Sequence, residues 1–397
     1  MPSQINHRVL ALAVLIISIG QLSMGLVFPS LPWIAKDFSV SIDEAQLLVS
    51  VYLLGFGPSQ FIYGPVSDAL GRKKVLLFGL AVALIGLMSI VFFHQSFEAL
   101  VLGRLLQGLG TGCCAVLARA TIRDSHNGDH LAKALGYIAM AASITPLFAP
   151  VIGGFINHHF GWIMVFVSLF VYVLTAWFLL LGLFDETRPQ RSKVPSPKAM
   201  FLQYRSLLKS KYFVSFAMIT WLNFSLMITT ISIMPFIMQN QIGMDSDEYA
   251  LWALIPAIGM LIGTSLCNRL RPQIGTQKML YWSPVLHLSA AIWFMLCPLE
   301  PMFVMFGQLL MILGNGIALP CAQMMLLQPY KKQAGAAAAM AGGGQMVISA
   351  LVSMVLTRLG LQFTWQLAIV ITIFALISLV NITRGFRSQP DVNEEHS

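Results

Sequence analysis

Apolar runs of about twenty residues recur along the whole chain, and this pattern restricts the fold more than any other feature. A helix needs roughly 20 apolar residues to cross a hydrocarbon core of about 30 Å. Hydrophobic residues make up 57% of the 397-residue chain and charged residues only 10%, whereas a soluble domain carries about 25% charged residues. The sequence therefore predicts an all-α polytopic membrane protein.

Twelve transmembrane helices are predicted, with glycine and proline inside many of them. Neighbouring helices can re-satisfy the backbone groups that these residues free, so their presence does not argue against spanning helices. The predicted spans cover residues 8–29, 44–66, 75–93, 98–120, 131–156, 161–184, 212–238, 248–270, 279–298, 301–327, 333–357 and 363–384.

The basic residues predict the orientation. If the N-terminus, the even-numbered loops and the C-terminus share one side, that side holds all 24 Lys and Arg residues except Lys36, Arg104 and Arg358. Loops rich in Lys and Arg face the cytoplasm, so both termini are predicted to be cytoplasmic. The net charge of +8 then reflects topology and argues against a nucleic-acid-binding surface.

The chain repeats itself at an offset of 204 residues. GRLLQGLGTG (103–112) aligns with GQLLMILGNG (307–316), and Gly71 aligns with Gly275. Two parallel six-helix halves of this kind are a transporter architecture with the substrate site between the halves. The predicted divisions are an N-terminal half (1–184), a cytoplasmic linker (185–211), a C-terminal half (212–384) and a cytoplasmic tail (385–397).

The linker, the cysteines and the histidines predict no chemistry. The first part of the linker is Pro-rich and charged and is predicted to be flexible. Its later part, with Phe201, Tyr204, Leu207 and Leu208 on one face, predicts a short helix on the membrane surface. The five cysteines form neither a disulfide framework nor a metal-binding spacing, and His287 is interpreted as a hydrogen-bonded packing residue. No cofactor or metal is expected.

The loop after the second span, GPVSDALGRKK (64–74), carries the most specific motif. Together with the twelve spans and two halves, it resembles the major facilitator superfamily, and more closely the drug/proton antiporters of the Bcr/CflA and EmrD-like branch. LGRLLQGLGTG (102–112) resembles the fourth-span motif of that family, and PLFAPVIGG (146–154) resembles its fifth-span antiporter motif, with Ala149 where the motif has glycine. The resemblance implies a monomeric transporter of the bacterial inner membrane that exchanges drugs for protons.

Four residues of the loop motif, Gly64, Asp68, Gly71 and Arg72, are predicted to form a gate latch. Asp68 is expected to dock at the N-terminus of the eleventh span, which carries partial positive charge, while Arg72 ties Asp68 to its own loop. The alternative is an ordinary positive-inside loop, which would explain the basic residues but not Asp68.

Arg104 is the candidate coupling residue because it lies inside the fourth span, where a cation costs at least about 2.5–3.5 kcal/mol. The family ties this arginine to proton coupling, and by analogy Gln21 is its expected hydrogen-bond partner; the alternative is an arginine that extends to the outer interface. All 16 acidic residues map to loops, tails or span ends. Glu98, at the outer edge of the same span, is the candidate proton carrier, with a solvated interfacial acid as the alternative.

Two further groups of residues complete the predicted site. Pro146, Pro150, Gly153 and Gly154 predict a pliable fifth span, the alternative being a kink without a coupling role. Sparse polar groups in an apolar pocket orient a ligand loosely, although plain helix packing is the alternative for each wall residue. The predicted cavity wall consists of Gln21, Tyr52, Phe56, Gln60, Asn223, Met227, Thr230 and Asn315.

The function predicted from these features is export of lipophilic, neutral or weakly charged compounds by alternating access, with protons, drug-like substrates and the lipid bilayer as partners. The lack of a carboxylate in the middle of the spans disfavours strongly cationic substrates. It also leaves open a narrow-specificity metabolite transporter or a facilitator of the same fold. A membrane-embedded enzyme is the alternative from another class, but no catalytic acids, metal ligands or nucleophile–base pair are spaced for it.

Overall fold

The computed structural model describes residues 6–188, 196–330 and 333–388, so parts of the predicted linker and tail lie outside the described residues. The described residues form fifteen α-helices and no strand. The helices are α1 (His7–Gly25), α2 (Leu31–Phe38), α3 (Ile42–Leu70), α4 (Arg72–Phe92), α5 (Phe97–Ser125), α6 (Gly128–Phe160), α7 (Trp162–Leu183), α8 (Pro197–Lys209), α9 (Lys211–Pro235), α10 (Ser246–Trp252), α11 (Leu254–Ile274), α12 (Thr276–Leu296), α13 (Pro301–Leu327), α14 (Ala334–Arg358) and α15 (Thr364–Arg387).

The prediction of twelve transmembrane helices is confirmed. Eleven helical segments of the described chain are long and apolar enough to cross a membrane. The remaining span, the fifth, is the 33-residue helix α6. Two spans are not regular throughout, because the first passes through a 3₁₀ turn at Phe28–Ser30 and the seventh ends in a π-helical turn at Phe236–Gln241. Pro29 in the 3₁₀ turn lacks the N–H that a continuous α-helix would need.

Contacts divide the described chain into two compact units. The first unit contains the described residues up to Arg188 together with Ser232–Leu254, and the second contains Ser196–Ile231 and the described residues from Ile255 onward. The sequence boundaries follow the repeat, whereas the contacts place the end of the seventh span and α10 in the first unit.

The internal repeat is visible in the backbone at two equivalent loops. Gly71 separates α3 from α4 with φ of +101°, and Gly275 separates α11 from α12 with φ of +85°. Side chains strongly disfavour this region of φ, and glycine occupies it without a steric penalty. The two glycines therefore make equivalent turns in the two halves of the repeat.

Helix packing repeats as well. A Cβ on Gly55 of α3 would lie 2.5 Å from the carbonyl oxygen of Leu105, and a Cβ on Gly259 of α11 would lie 2.9 Å from that of Leu309. Gly259 and Leu309 stand 204 residues after Gly55 and Leu105, respectively. Each unit thus contains one helix pair in backbone contact at the same point of the repeat, and only glycine fits there.

The later part of the linker forms α8, which packs against α14 in the second unit. Leu207 is buried, whereas Phe201 and Leu208 are exposed. The predicted apolar face is therefore divided between a packed residue and residues left uncovered by the chain, and its position on a membrane surface stays a prediction.

Candidate functional site

Arg104 is fully buried between α1, α3 and α5 and is held by three hydrogen bonds. Its Nη1 donates to the carbonyl oxygen of Ser23 at 2.9 Å and to Oε1 of Gln107 at 2.7 Å, and its Nε donates to the carbonyl oxygen of Leu48 at 3.1 Å. The side chain does not extend to an interface, so the alternative of a snorkelling arginine is wrong.

Tyr52 forms one wall of the Arg104 site. The guanidinium carbon lies 4.3 Å from the centre of the Tyr52 ring, which is the geometry of a cation–π contact. The Tyr52 hydroxyl donates to the carbonyl oxygen of Gly20 at 3.1 Å and lies 2.9 Å from Oγ1 of Thr111. Because its ring and hydroxyl are both engaged and it is only 1% exposed, Tyr52 belongs to the arginine site and not to an open cavity wall.

The charge of Arg104 has no carboxylate partner among the described residues. Its Nη2 and the Nε2 of Gln107 are buried and lack a hydrogen-bond partner in the described part of the chain. Burying a charge is expensive unless it is paired and hydrogen-bonded. The site therefore presents an uncompensated positive charge with spare donors.

The predicted bond between Arg104 and Gln21 is not present in the described structure. Gln107 takes the place of Gln21, because it lies three residues along the same helix, where side chains are neighbours. Gln21 is half-buried on α1.

Glu98 lies in the first turn of α5, where its carboxylate accepts a hydrogen bond from Ser96 Oγ at 2.8 Å. Ser96 Oγ also accepts from the backbone N–H of Ala99 at 3.2 Å, so the two side chains complete the start of the helix. Glu44 makes a similar contact in the first turn of α3, where it accepts from Ser41 Oγ at 2.8 Å, although it lies three residues after its serine and Glu98 lies two residues after its own. This contact supports local capping, and a coupling role for Glu98 stays a prediction.

The loop between α3 and α4 holds a network of charges centred on Arg72. The Arg72 guanidinium lies 2.7 Å from Asp68 Oδ1, its Nε donates to Asp124 Oδ2 at 2.8 Å, and its Nη1 donates to Ser67 Oγ at 2.5 Å. Arg72 is only 4% exposed, whereas the Asp68 side chain is 37% exposed, so the network is shielded from water on the Arg72 side and open at Asp68. The structure thus brings together Asp68 and Arg72 as predicted and adds Asp124 from the end of α5.

The first residues of the predicted linker dock onto the same loop. Glu186 accepts hydrogen bonds from the backbone N–H groups of Arg72 at 2.8 Å and Lys73 at 3.3 Å, which are the first two residues of α4. Arg188 Nη1 lies 3.0 Å from Asp68 Oδ1. The expectation of a flexible linker without chemistry is wrong for residues 185–188, because Glu186 and Arg188 are bonded to this loop. The Glu186 carboxylate is stabilised there by the unpaired N–H groups of the helix N-terminus and by the helix dipole.

The remaining predicted latch residue, Gly64, is not in tight contact. A Cβ at Gly64 would lie 3.6 Å from Cγ1 of Val116, which is ordinary van der Waals distance. Gly71 is required by its positive φ. Docking of Asp68 on the eleventh span stays a prediction.

The fifth span, α6, is one continuous helix through Pro146 and Pro150. Its glycines serve close packing: Gly153 faces the backbone of Leu26, and a Cβ on Gly154 would lie 2.5 Å from the carbonyl oxygen of Ser246. Whether the prolines make the helix pliable stays a prediction.

Ala149 is accommodated by a glycine on α1. A Cβ on Gly25 would lie 2.5 Å from the methyl group of Ala149. The methyl group of Ala149, which the motif glycine would lack, therefore fits because Gly25 on α1 has no side chain.

The other predicted wall residues lie in two places. In the first unit, Phe56 stacks on Tyr52 with ring centres 5.7 Å apart, and Gln60 Nε2 donates to the Phe56 carbonyl oxygen at 3.4 Å. In the second unit, Asn223, Met227 and Thr230 lie on α9 and Asn315 on α13. Met227 is half-buried, and the three polar members of this second group are buried.

His287 of α12 is buried against α13, with Nε2 3.1 Å from the carbonyl oxygen of Met311. A Cβ on Gly314 would lie 2.8 Å from the same nitrogen, so glycine is needed to admit the imidazole ring. The structure gives His287 the packing and hydrogen bonding that were expected from sequence.

Six side chains of the Arg104 and Arg72 clusters were not predicted: Ser67, Gln107, Thr111, Asp124, Glu186 and Arg188. The signal for Gln107 was its three-residue spacing from Arg104. The run of charges in DETR (185–188), two acids followed by a base, was a weaker signal, because nothing in the local pattern identifies its partners.

Comparison with known proteins gives the family. The family model of the Major Facilitator Superfamily matches residues 13–299. Multidrug resistance protein D of Escherichia coli (strain K12) is 25% identical over 389 residues, covering 95% of each chain. Multidrug resistance protein MdtL of Escherichia fergusonii is 30% identical over 363 residues, covering 89% of this chain and 90% of that protein.

Solved structures agree on the fold. The D-xylose-proton symporter has a TM-score of 0.75 at 15% identity, covering 94% of this chain and 97% of that chain. The human organic anion transporter MFSD10 (TETRAN) has a TM-score of 0.67 at 16% identity, covering 97% and 100%. The twelve-helix fold, the repeat and the family match over most of the chain lead to one conclusion: this chain belongs to the major facilitator superfamily and is a membrane transporter, not an enzyme.

Proposed function

We propose that this transporter exports lipophilic, neutral or weakly charged drug-like compounds across the bacterial inner membrane in exchange for protons. It acts as a monomer with both termini in the cytoplasm, and its two halves expose a central cavity alternately to either side. The observation that carries the proposal is the similarity, over nearly the whole chain, to relatives named multidrug resistance proteins.

The buried charge supports a coupling role for the Arg104 site. A cation that is fully buried and has no carboxylate partner among the described residues is costly to keep. It also repels a second positive charge nearby, and this repulsion falls when the site is opened to water. Arg104 and Gln107 do not themselves gain or lose a proton. Their proposed role is to link protonation of a carboxylate, with Glu98 as the candidate proton carrier, to the conformation of the first half.

The substrate preference is proposed from the same electrostatics. The described acids lie at helix ends and in loops, so no carboxylate is placed to balance an organic cation beside Arg104. Gln21, Phe56 and Gln60 from one half, and Asn223, Met227, Thr230 and Asn315 from the other, are proposed to contact the substrate. Their few polar groups suit compounds of varied shape.

The loop network is proposed to set the balance between the two conformations. Asp68 is held by Arg72 and Arg188, and Glu186 fixes the start of α4 beside them. A latch made of these residues joins α4 to residues 186–188, which lead into the second half. Release of the latch would free residues 186–188 from α4.

The proposal is tested by transport into inside-out vesicles with imposed pH gradients. Neutral and cationic fluorescent compounds are offered in parallel, and both compound uptake and dissipation of the gradient are recorded. We expect neutral lipophilic compounds to accumulate and to dissipate the gradient in the wild-type protein. Accumulation that ignores pH would instead indicate a facilitator, and transport of a single metabolite without drugs would indicate a narrow-specificity transporter.

Two variants separate coupling from helix capping in this assay. Glu98→Gln is compared with Glu44→Gln, because both carboxylates accept a hydrogen bond from a serine in the first turn of a spanning helix. Loss of gradient dissipation in Glu98→Gln alone supports a coupling role. Equal behaviour of the two variants contradicts it.

A further inference from the structure

Three side chains that can ligate metal ions converge at one end of the first unit. His158 lies in the last turn of α6, and Asp245 and Asp247 lie at the start of α10. One ligand atom from each residue lies within 4.8 Å of the other two, and His158 Nδ1 is 3.2 Å from Asp247 Oδ1. The three groups come from helices distant in sequence, so the cluster is a product of folding.

Separate contacts hold the two helices together at this point. Asn157 Nδ2 donates to Ser246 Oγ at 3.0 Å, and Gly154 lies against the carbonyl group of Ser246. Ser246 stands between the two aspartates, so its position fixes theirs relative to His158. The backbone of the cluster is therefore arranged without help from an ion.

The helix contact beside the cluster leaves one oxygen unpaired. Oδ1 of Asn157 is buried and has no hydrogen-bond partner in the described part of the chain, although the residue is only 4% exposed. Buried polar atoms are rarely left unpaired, and an unseen water or ion is a common explanation.

The cluster is open to a hydrated ion. The side chains of His158 and Asp247 are 36% and 40% exposed. Asp245 also lines an open groove of about 570 Å³ beside α2. An ion can enter without rearrangement of the helices and can keep water on its free positions.

We propose that His158, Asp245 and Asp247 bind a divalent transition-metal ion of the zinc class. One imidazole nitrogen and two carboxylate oxygens are ligands that Zn²⁺ accepts at about 2.0–2.2 Å, so two ligand atoms on one ion lie up to about 4.2 Å apart. The observed 4.8 Å closes to this spacing by small rotations of exposed side chains. Calcium and magnesium prefer oxygen ligands throughout, which disfavours them at a site with an imidazole.

Such an ion would join α10 to α6 more firmly than the existing contacts do. The contact between His158 and Asp247 is partly exposed, and exposed polar contacts of this kind contribute little. A metal bridge replaces it with coordination bonds from both helices. The proposal does not depend on what the protein transports.

The test uses the purified full chain after removal of any affinity tag. Zn²⁺ is titrated calorimetrically, and hydrogen exchange of residues 245–252 is followed with and without Zn²⁺. We expect one site, with affinity reduced at least about tenfold in His158→Ala and in Asp247→Asn, because loss of even an outer-shell partner costs 10–100-fold. Zn²⁺ should slow exchange in residues 245–252 of the wild type but not of these variants.

His159→Ala is the matched control, because His159 is the adjacent exposed histidine and lies outside the cluster. It should bind Zn²⁺ as the wild type does, and His158→Cys should restore binding because a thiolate is also a zinc ligand. Absence of Zn²⁺ binding by the wild type overturns the proposal. Unchanged binding in His158→Ala, or equal loss in His159→Ala, also overturns it.

Discussion

Replacing Glu186 with alanine removes the carboxylate that caps α4. In the structure this carboxylate accepts hydrogen bonds from the backbone N–H groups of Arg72 and Lys73, at 2.8 and 3.3 Å. No other side chain is seen at these two amides among the described residues. The variant therefore leaves the first turn of α4 without its capping partner.

The expected loss follows from the contacts. Removal of a side-chain cap costs about 0.5–2 kcal/mol, and loss of a negative charge at a helix N-terminus costs about 0.3–1 kcal/mol at an exposed position. We expect a total of about 1–2 kcal/mol, because the two effects overlap in one group. A change of this size shifts a local opening equilibrium by a factor of about 5–30.

Hydrogen exchange of the amides at 72–75 measures this opening directly. We expect exchange there to accelerate about 5–30-fold in Glu186→Ala, while the middle of α4 is unchanged. Asp185→Ala is the control, because Asp185 is the neighbouring acid and pairs with Arg8 at 3.5 Å instead of capping a helix. If both variants exchange like the wild type, Glu186 does not cap α4 and the linker is not docked on this loop.

Three further outcomes are expected. Asp68→Asn should abolish export while leaving insertion in the membrane unchanged; normal export by this variant would reduce the loop to a connector. Gly55→Ala should lower thermal stability by about 1–3 kcal/mol through overpacking, because its Cβ would lie 2.5 Å from the Leu105 carbonyl oxygen, whereas Gly182→Ala, with open space around it, should not. Arg104→Lys should retain the fold but lose coupled transport, since an ammonium cannot reproduce the three fork-shaped hydrogen bonds; unchanged proton coupling would contradict this.

The spans were predictable because hydrocarbon imposes one requirement on every helix, namely a long apolar run with its backbone bonds satisfied internally. The repeat was predictable for a related reason: Gly55, Gly71 and their partners at an offset of 204 residues occupy positions where any side chain would collide or strain the backbone. Such positions can be recognised in a sequence because they are occupied by glycine in both halves of the repeat.

The partners of the charged residues were less predictable. Arg104 bonds to Gln107 and not to Gln21 because Gln107 lies on the same face of the same helix. The family analogy had indicated a partner on a different helix, α1. Glu186 and Arg188 meet Asp68 and Arg72 across more than a hundred residues. Composition identifies the segment as charged, but only the packing of α4 against its neighbours determines which charges meet.

If the protein exchanges a lipophilic compound for a proton, binding of the compound displaces a proton, and this proton release can be measured. Purified protein in weakly buffered detergent solution is mixed with a neutral drug, and the pH change and drug binding are recorded together. We expect proton release that saturates with drug binding in the wild type and is absent in Arg104→Lys. Saturable drug binding by the wild type without any proton release would contradict it.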